Sequence, residues 1–188
     1  MKTNISTLAA GFCLLALIVS CTDLGTESQV SNFNMDDFPY EIGTRWTYSV
    51  SDNLKSSTVV VTVAGKIDGA AVWIWQINDG YSVKTAYCSA SGDTMTISYS
   101  EGEYIPTTYV FPLQAGERWP IPEGGNSTVV RVGSATVPAG NFPSCFQIIE
   151  SSGAYSWLVP HVGIVKMTQL ETQSGRPSTW ELMSYDVP

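Results

Sequence analysis

Between Thr94 and Tyr99 the chain alternates strictly, with Met95, Ile97 and Tyr99 apolar or aromatic and Thr94, Thr96 and Ser98 polar. A side-chain period of two sends the two sets to opposite faces, which predicts a strand with one dry and one wet side. Val59 to Val63 and Ala70 to Ile77 are apolar at successive positions, and so predict strands central to a sheet or held between layers. Turn residues punctuate these runs at Asp52-Asn53, Asp68-Gly69, Asp79-Gly80, Ser91-Gly92-Asp93, Gly124-Gly125-Asn126 and Ser174-Gly175-Arg176-Pro177. Turn spacing of roughly 8–14 residues, with no stretch of helical period, predicts an all-β fold with little helix. The long two-sided apolar strands favour one curved antiparallel sheet closing toward a barrel, with a two-sheet β-sandwich as the alternative.

The pattern also echoes itself. Phe38-Pro39-Tyr40-Glu41-Ile42-Gly43-Thr44-Arg45-Trp46 returns as Phe111-Pro112-Leu113-Gln114-Ala115-Gly116-Glu117-Arg118-Trp119, sharing F-P-x-x-x-G-x-R-W. Ser57-Thr58-Val59-Val60 then answers to Ser127-Thr128-Val129-Val130, and Gln76-Ile77 to Gln147-Ile148. This ordered echo divides one β-domain, 38–188, into two pseudo-repeats, 38–110 and 111–188. In each copy the Pro confines the backbone, the Gly permits a tight bend, and Trp46 or Trp119 is expected as the first buried anchor of a strand.

Before that domain lie two segments of different character. Lys2, the apolar run Leu8 to Val19, and the small-residue segment closing on Ser20 have the three parts of a secretory leader, residues 1–20. Thr22, Asp23 and Gly25 end the apolar run after about a dozen residues, short of the roughly 20 needed to span a bilayer. The segment Ile18-Val19-Ser20-Cys21 resembles the cleavage site of diacylglyceryl-modified bacterial lipoproteins. That resemblance implies a thioether lipid on Cys21, palmitate-type acylation of its amino group, and a cell-envelope address. Thr22 in place of Asp after the cysteine implies the outer membrane of a diderm cell. From Cys21 to Asp37 the chain is polar and aperiodic, which predicts a flexible tether between membrane and domain.

Composition narrows the partners. The formal net charge is −8, and removing the leader with Lys2 makes the remainder one unit more acidic. An acidic body repels phosphates, so nucleic acid is not an expected partner. Aromatics at 11% with charged residues at only 14% point to a folded domain and not a disordered one. Four cysteines are present. Cys13 falls in the leader and Cys21 takes the lipid, which leaves Cys88 and Cys145 as either a disulfide pair or two separate buried thiols.

No catalytic constellation emerges. His161 is the single histidine and has no G-x-S-x-G nucleophile or orienting carboxylate near it in sequence. Asp36-Asp37 and Glu101-Gly102-Glu103 are acid pairs in polar connectors without the calcium-loop pattern, and no zinc ligand set exists, so neither metal nor cofactor is expected. Trp73 and Trp75 share one strand face with Ala71 and Ile77. They are expected chiefly as core, and otherwise as the wall of an aromatic groove for a glycan or acyl chain.

Three segments taken together carry a second resemblance: Phe38 to Tyr48 with G-x-x-W-x-Y, Val137-Pro138-Ala139-Gly140-Asn141-Phe142, and Val162-Gly163-Ile164-Val165-Lys166. They are similar to a widespread group of bacterial envelope lipoproteins. The resemblance implies an antiparallel β-domain with no defined chemistry. The expectation is therefore a membrane-anchored, non-catalytic module that binds a protein, glycan or lipid. The alternative is a lipid carrier or envelope-assembly factor with an enclosed apolar cavity, and an enzyme ranks third.

Overall fold

The computed structural model describes residues 32–52, 54–100, 106–122, 124–170 and 177–188. The leader, Cys21 and the first part of the expected tether lie outside these. Among the described residues there are twelve strands: β1 (Arg45–Ser51), β2 (Ser56–Lys66), β3 (Val72–Asn78), β4 (Val83–Ser91), β5 (Thr94–Tyr99), β6 (Thr107–Val110), β7 (Arg118–Pro120), β8 (Asn126–Val137), β9 (Gly140–Glu150), β10 (Tyr155–Val159), β11 (Gly163–Leu170) and β12 (Pro177–Asp186).

All twelve form one antiparallel sheet in the order β6-β5-β4-β3-β2-β1-β12-β11-β10-β9-β8-β7. Every strand pairs with its chain neighbours except that β6 and β7 do not pair with each other, the first strand pairs with the last, and β6 and β7 are left as the edges. Those two edges meet through a side chain, because Trp119 Nε1 on β7 donates to the Thr108 carbonyl on β6 at 3.0 Å. The sheet is thus a nearly closed barrel, and the sandwich alternative is not the arrangement found.

Period-two burial explains why the sheet closes. Val59, Val61 and Val63 on β2, Trp75 and Ile77 on β3, Ala86 and Cys88 on β4, and Met95 and Ile97 on β5 all point into one core. The outward residues Val60 and Ile74 are only half-buried. Of the two expectations for these runs, central strands is the one found: β2 and β3 each have a strand on both sides, and among the described residues no second layer covers their outer faces. The interior is filled from opposite walls. Tyr48 on β1 reaches over β12 to donate its hydroxyl to the Ile164 carbonyl of β11 at 2.8 Å, and across the barrel Gln169 on β11 donates to the Tyr99 hydroxyl of β5. Side chains of this length meet only if the barrel is flattened.

Around their glycines the two F-P-x-x-x-G-x-R-W segments make the same loop, although the Phe111–Pro112 peptide is cis and Phe38–Pro39 is trans. Gly43 and Gly116 both adopt left-handed backbone, with φ of 101° and 91°. Gly43 N–H donates to the Val63 carbonyl and Gly116 N–H to that of Val129. In return Val63 N–H donates to Thr44 and Val129 N–H to Glu117. By hydrogen bonding, then, Val129 matches Val63, four residues beyond the Val59 it matches by sequence. An even slip leaves every side chain on its original face.

Residues 33–37 depart from the tether expectation. Phe33 is fully buried, exchanges two backbone hydrogen bonds with Leu113, and packs edge-on against Phe111 and tilted against Phe146. A short 3-10 helix follows at Met35–Asp37, with Asp37 accepting from Asn34 N–H at 2.9 Å. Phe38 then stacks on Trp75. This segment caps one end of the barrel, hereafter the closed end. The β8–β9 hairpin helps close it, since Ala139 N–H at its tip donates to the Leu182 carbonyl of β12. The β1–β2, β3–β4, β7–β8 and β9–β10 turns surround the opposite end, the mouth.

Candidate functional site

At the closed end an open groove of about 540 Å³ runs between the Asp36–Glu41 segment, Trp73, His161 and Val187–Pro188. Its aromatic wall is the Tyr40–Trp73 pair, stacked with centroids 4.2 Å apart and planes 19° from parallel. Lys66, opposite Trp73 on β2, holds its ammonium 4.9 Å from the Trp73 ring centroid. Tyr40 turns its hydroxyl inward to Met95 Sδ at 3.1 Å, and burial raises its pKa. Trp75, two residues along the same face, is a core residue only 6% exposed. The Trp73/Trp75 face is therefore split between the edge of this groove and the core, and Tyr40 already covers one side of Trp73.

His161 stands at the groove's rim. Val162 N–H donates to the Val159 carbonyl, which closes a four-residue turn with Pro160 second and His161 third. That third position takes positive φ, and His161 adopts 62°, the only non-glycine residue among those described to do so. Its backbone N–H donates to the Asp37 carbonyl at 2.7 Å, whereas its imidazole is 78% exposed and lies 3.9 Å from Asp37 Oδ1. What ties the turn to the 3-10 helix is thus the His161 backbone. No group of three or more His, Cys, Asp or Glu side chains suited to a metal occurs among the described residues. Glu101 and Glu103 lie outside them.

Cys88 and Cys145 are free thiols on β4 and β9, both fully buried. The structure has the two-thiol arrangement, not the disulfide. Burial pushes Cys145 up to about 11 and Cys88 still further, so neither is a ready nucleophile.

Inside the barrel, space is scarce: the interior void amounts to about 20 Å³. It is lined by Tyr48, Trp75, Tyr99, Tyr109, Gln169 and Trp180 among others, with no charged side chain. A volume of this order holds about one water molecule. The enclosed cavity of several hundred Å³ that a lipid carrier needs is not found among the described residues. At the mouth a pocket of about 190 Å³ adjoins this void and shares Ile77, Tyr99 and Trp180 with it. Asp52 and Asp79 brace its rim, each carboxylate accepting two backbone N–H bonds from its own turn. Those bonds, chiefly from Ser82 and Tyr81, hold the Asp79 carboxyl below its usual pKa.

No protein-family model matches this chain, and no curated protein matches it. Several solved structures are similar to it, among them the following two. A "putative lipoprotein" from Parabacteroides distasonis aligns at 15% identity over 80% of this chain and 98% of its own, with a TM-score of 0.46. A "putative exported protein with YmcC-like fold" from Bacteroides fragilis aligns at 16% identity over 79% of this chain and 98% of its own, with a TM-score of 0.45.

Sequence reasoning did not single out Phe33, Tyr40 or Gln169. Gln169 left a signal nonetheless, because it follows Met167 on the same inward face of β11, where a polar residue is out of place.

Proposed function

We propose that this chain is a lipid-anchored protein of the bacterial cell envelope, held through Cys21 in the outer membrane, whose β-barrel binds a ligand or partner and performs no reaction. The anchor reading rests on the leader and the small residues before Cys21. The observation that carries the binding reading is the division of space within the barrel. The core is packed down to a void of about 20 Å³, while the open volumes lie at the two ends. A carrier would enclose its cargo; this molecule offers surfaces.

Anchorage is tested by replacing the lipidated thiol. Cys21→Ser should shift the protein from the membrane to the soluble fraction and remove the acyl mass from its amino-terminal peptide. Continued membrane partition of the variant would refute the anchor. Binding in place of carriage is tested by native mass spectrometry of the Cys21→Ser protein, which should carry no co-purifying phospholipid.

A further inference from the structure

Two buried polar atoms on the walls of the interior void have no hydrogen-bond partner: the Trp75 indole N–H, a donor, and Gln169 Oε1, an acceptor. Gln169 spends its amide nitrogen on the Tyr99 hydroxyl. Were the amide turned over, its nitrogen would be left over instead, so one end lacks a partner in either orientation. The Tyr109 hydroxyl, set beside Ser156 without a well-formed hydrogen bond, lines the same void. Leaving a buried donor or acceptor unsatisfied is costly, and here such groups converge on one place. Natural cores seldom tolerate that without something to answer them.

The void is the inner end of a larger space. Through Ile77, Tyr99 and Trp180 it is continuous in its walls with the mouth pocket of about 190 Å³, where Val59 and Val50 add apolar surface and the charged Asp52, Lys55, Asp79 and Lys84 also line the walls. An apolar cavity of about 150 Å³ accommodates a benzene ring. From these observations we infer that the mouth of the barrel is a binding site for a small neutral amphiphile of about phenol size. Its apolar body rests on Ile77, Tyr99 and Trp180, and its single hydroxyl or amide head enters the void between Trp75 Nε1 and Gln169 Oε1.

Each property of this ligand class answers a property of the site. The head is small because the void holds no more than a water-sized group. It both donates and accepts because Trp75 offers a proton and Gln169, with its amide nitrogen on Tyr99, offers a lone pair. It is neutral because the void has no charged side chain to compensate a buried ion, which would cost far more than the two hydrogen bonds return. The proposal deepens the binding reading by naming the site and the ligand class, and it does not depend on the lipid anchor.

The test uses the full chain carrying Cys21→Ser, so that no acyl group competes, with para-cresol and toluene as probes that differ by one hydroxyl. Para-cresol should saturate, shift the Trp75 indole N–H resonance (assigned through Trp75→Phe), and bind about tenfold more tightly than toluene, the worth of a satisfied buried polar pair. Gln169→Leu should erase most of that tenfold preference while leaving toluene binding in place. Toluene binding also reports that the variant's mouth is intact. Should Gln169→Leu fail to fold, Trp75→Phe carries the same comparison. Equal affinity for the two probes, a shift confined to Trp73 at the closed end, or no saturable shift would overturn the proposal. Failure of this test leaves the fractionation of Cys21→Ser untouched, so the two readings stand or fall separately.

Discussion

His161 is the residue whose backbone and side chain give opposite messages. Its backbone occupies a turn position suited to glycine and bonds to Asp37, while its imidazole reaches solvent. A non-glycine residue held at positive φ costs about 1 kcal/mol or more. His161→Gly should therefore leave stability equal or raise it by about 1 kcal/mol in urea denaturation, since relief of strain offsets the greater freedom of glycine when unfolded. A clear loss would show that the imidazole contributes to the fold. Gly43 and Gly116 face the opposite constraint. A β-branched side chain at either site meets a backbone it rarely adopts, and Gly43→Val and Gly116→Val should each destabilise by about 1–3 kcal/mol. An effect at only one of them would break the equivalence of the two loops. For the thiols, electrophoretic mobility should be the same with and without reductant. Iodoacetamide at pH 8 should modify Cys88 and Cys145 slowly in the folded protein and rapidly in denaturant, because both are buried and their thiolates are disfavoured. Rapid labelling of the native state would contradict that burial.

At the scale of elements, the segment before β1 matters most. Phe33 sits among Ser31, Asn32, Asn34 and Asp36, and no window around it has a period, so composition reads it as linker. Its burial depends on Leu113, Phe111 and Phe146, all far away in sequence, and local pattern carries no trace of such partners. Phe33→Ala should cost about 3–5 kcal/mol, as for a buried aromatic, whereas shortening the chain before Asn32 should cost little. If both changes are silent, the segment does not belong to the fold. The element built on period two was legible: β5 buries Met95 and Ile97, two of the alternate residues that the sequence sets apart. The half-apolar outer faces of β2 and β3 misled in one respect. Apolar residues on both sides of a strand suggest two covered faces, yet here the outer residues are shielded only in part by their neighbours along the same sheet. The aromatic face of β3 was legible as a face, but where groove ends and core begins was not. That division is set by Phe38 and Tyr40 folding back over it.

For the whole molecule, the sheet's single gap between β6 and β7 is the feature with the widest reach. Backbone groups facing that gap have no ladder partner, and a Trp119 side-chain bond spans it. Hydrogen exchange should find amides on the gap side of β6 and β7 exchanging well before those shared by β1 and β12, since edge groups open at low local cost. Equal protection on both would mean that the barrel is fully closed. The all-β class and the curved sheet were readable from turns and periodicity. Which two strands would fail to pair was not, because pairing between β1 and β12 is a contact between the two extremes of the domain.

That same stitch between first and last strands governs how the molecule comes into being. One edge of β1 stays bare until it is met by β12, the last strand in the chain, with ten strands between them in sequence. Contacts this remote in sequence form slowly, and exposed strand edges invite pairing with foreign chains. A protein assembled this way is most vulnerable before that last pairing forms, so dilution during refolding should protect it more than any gain in final stability.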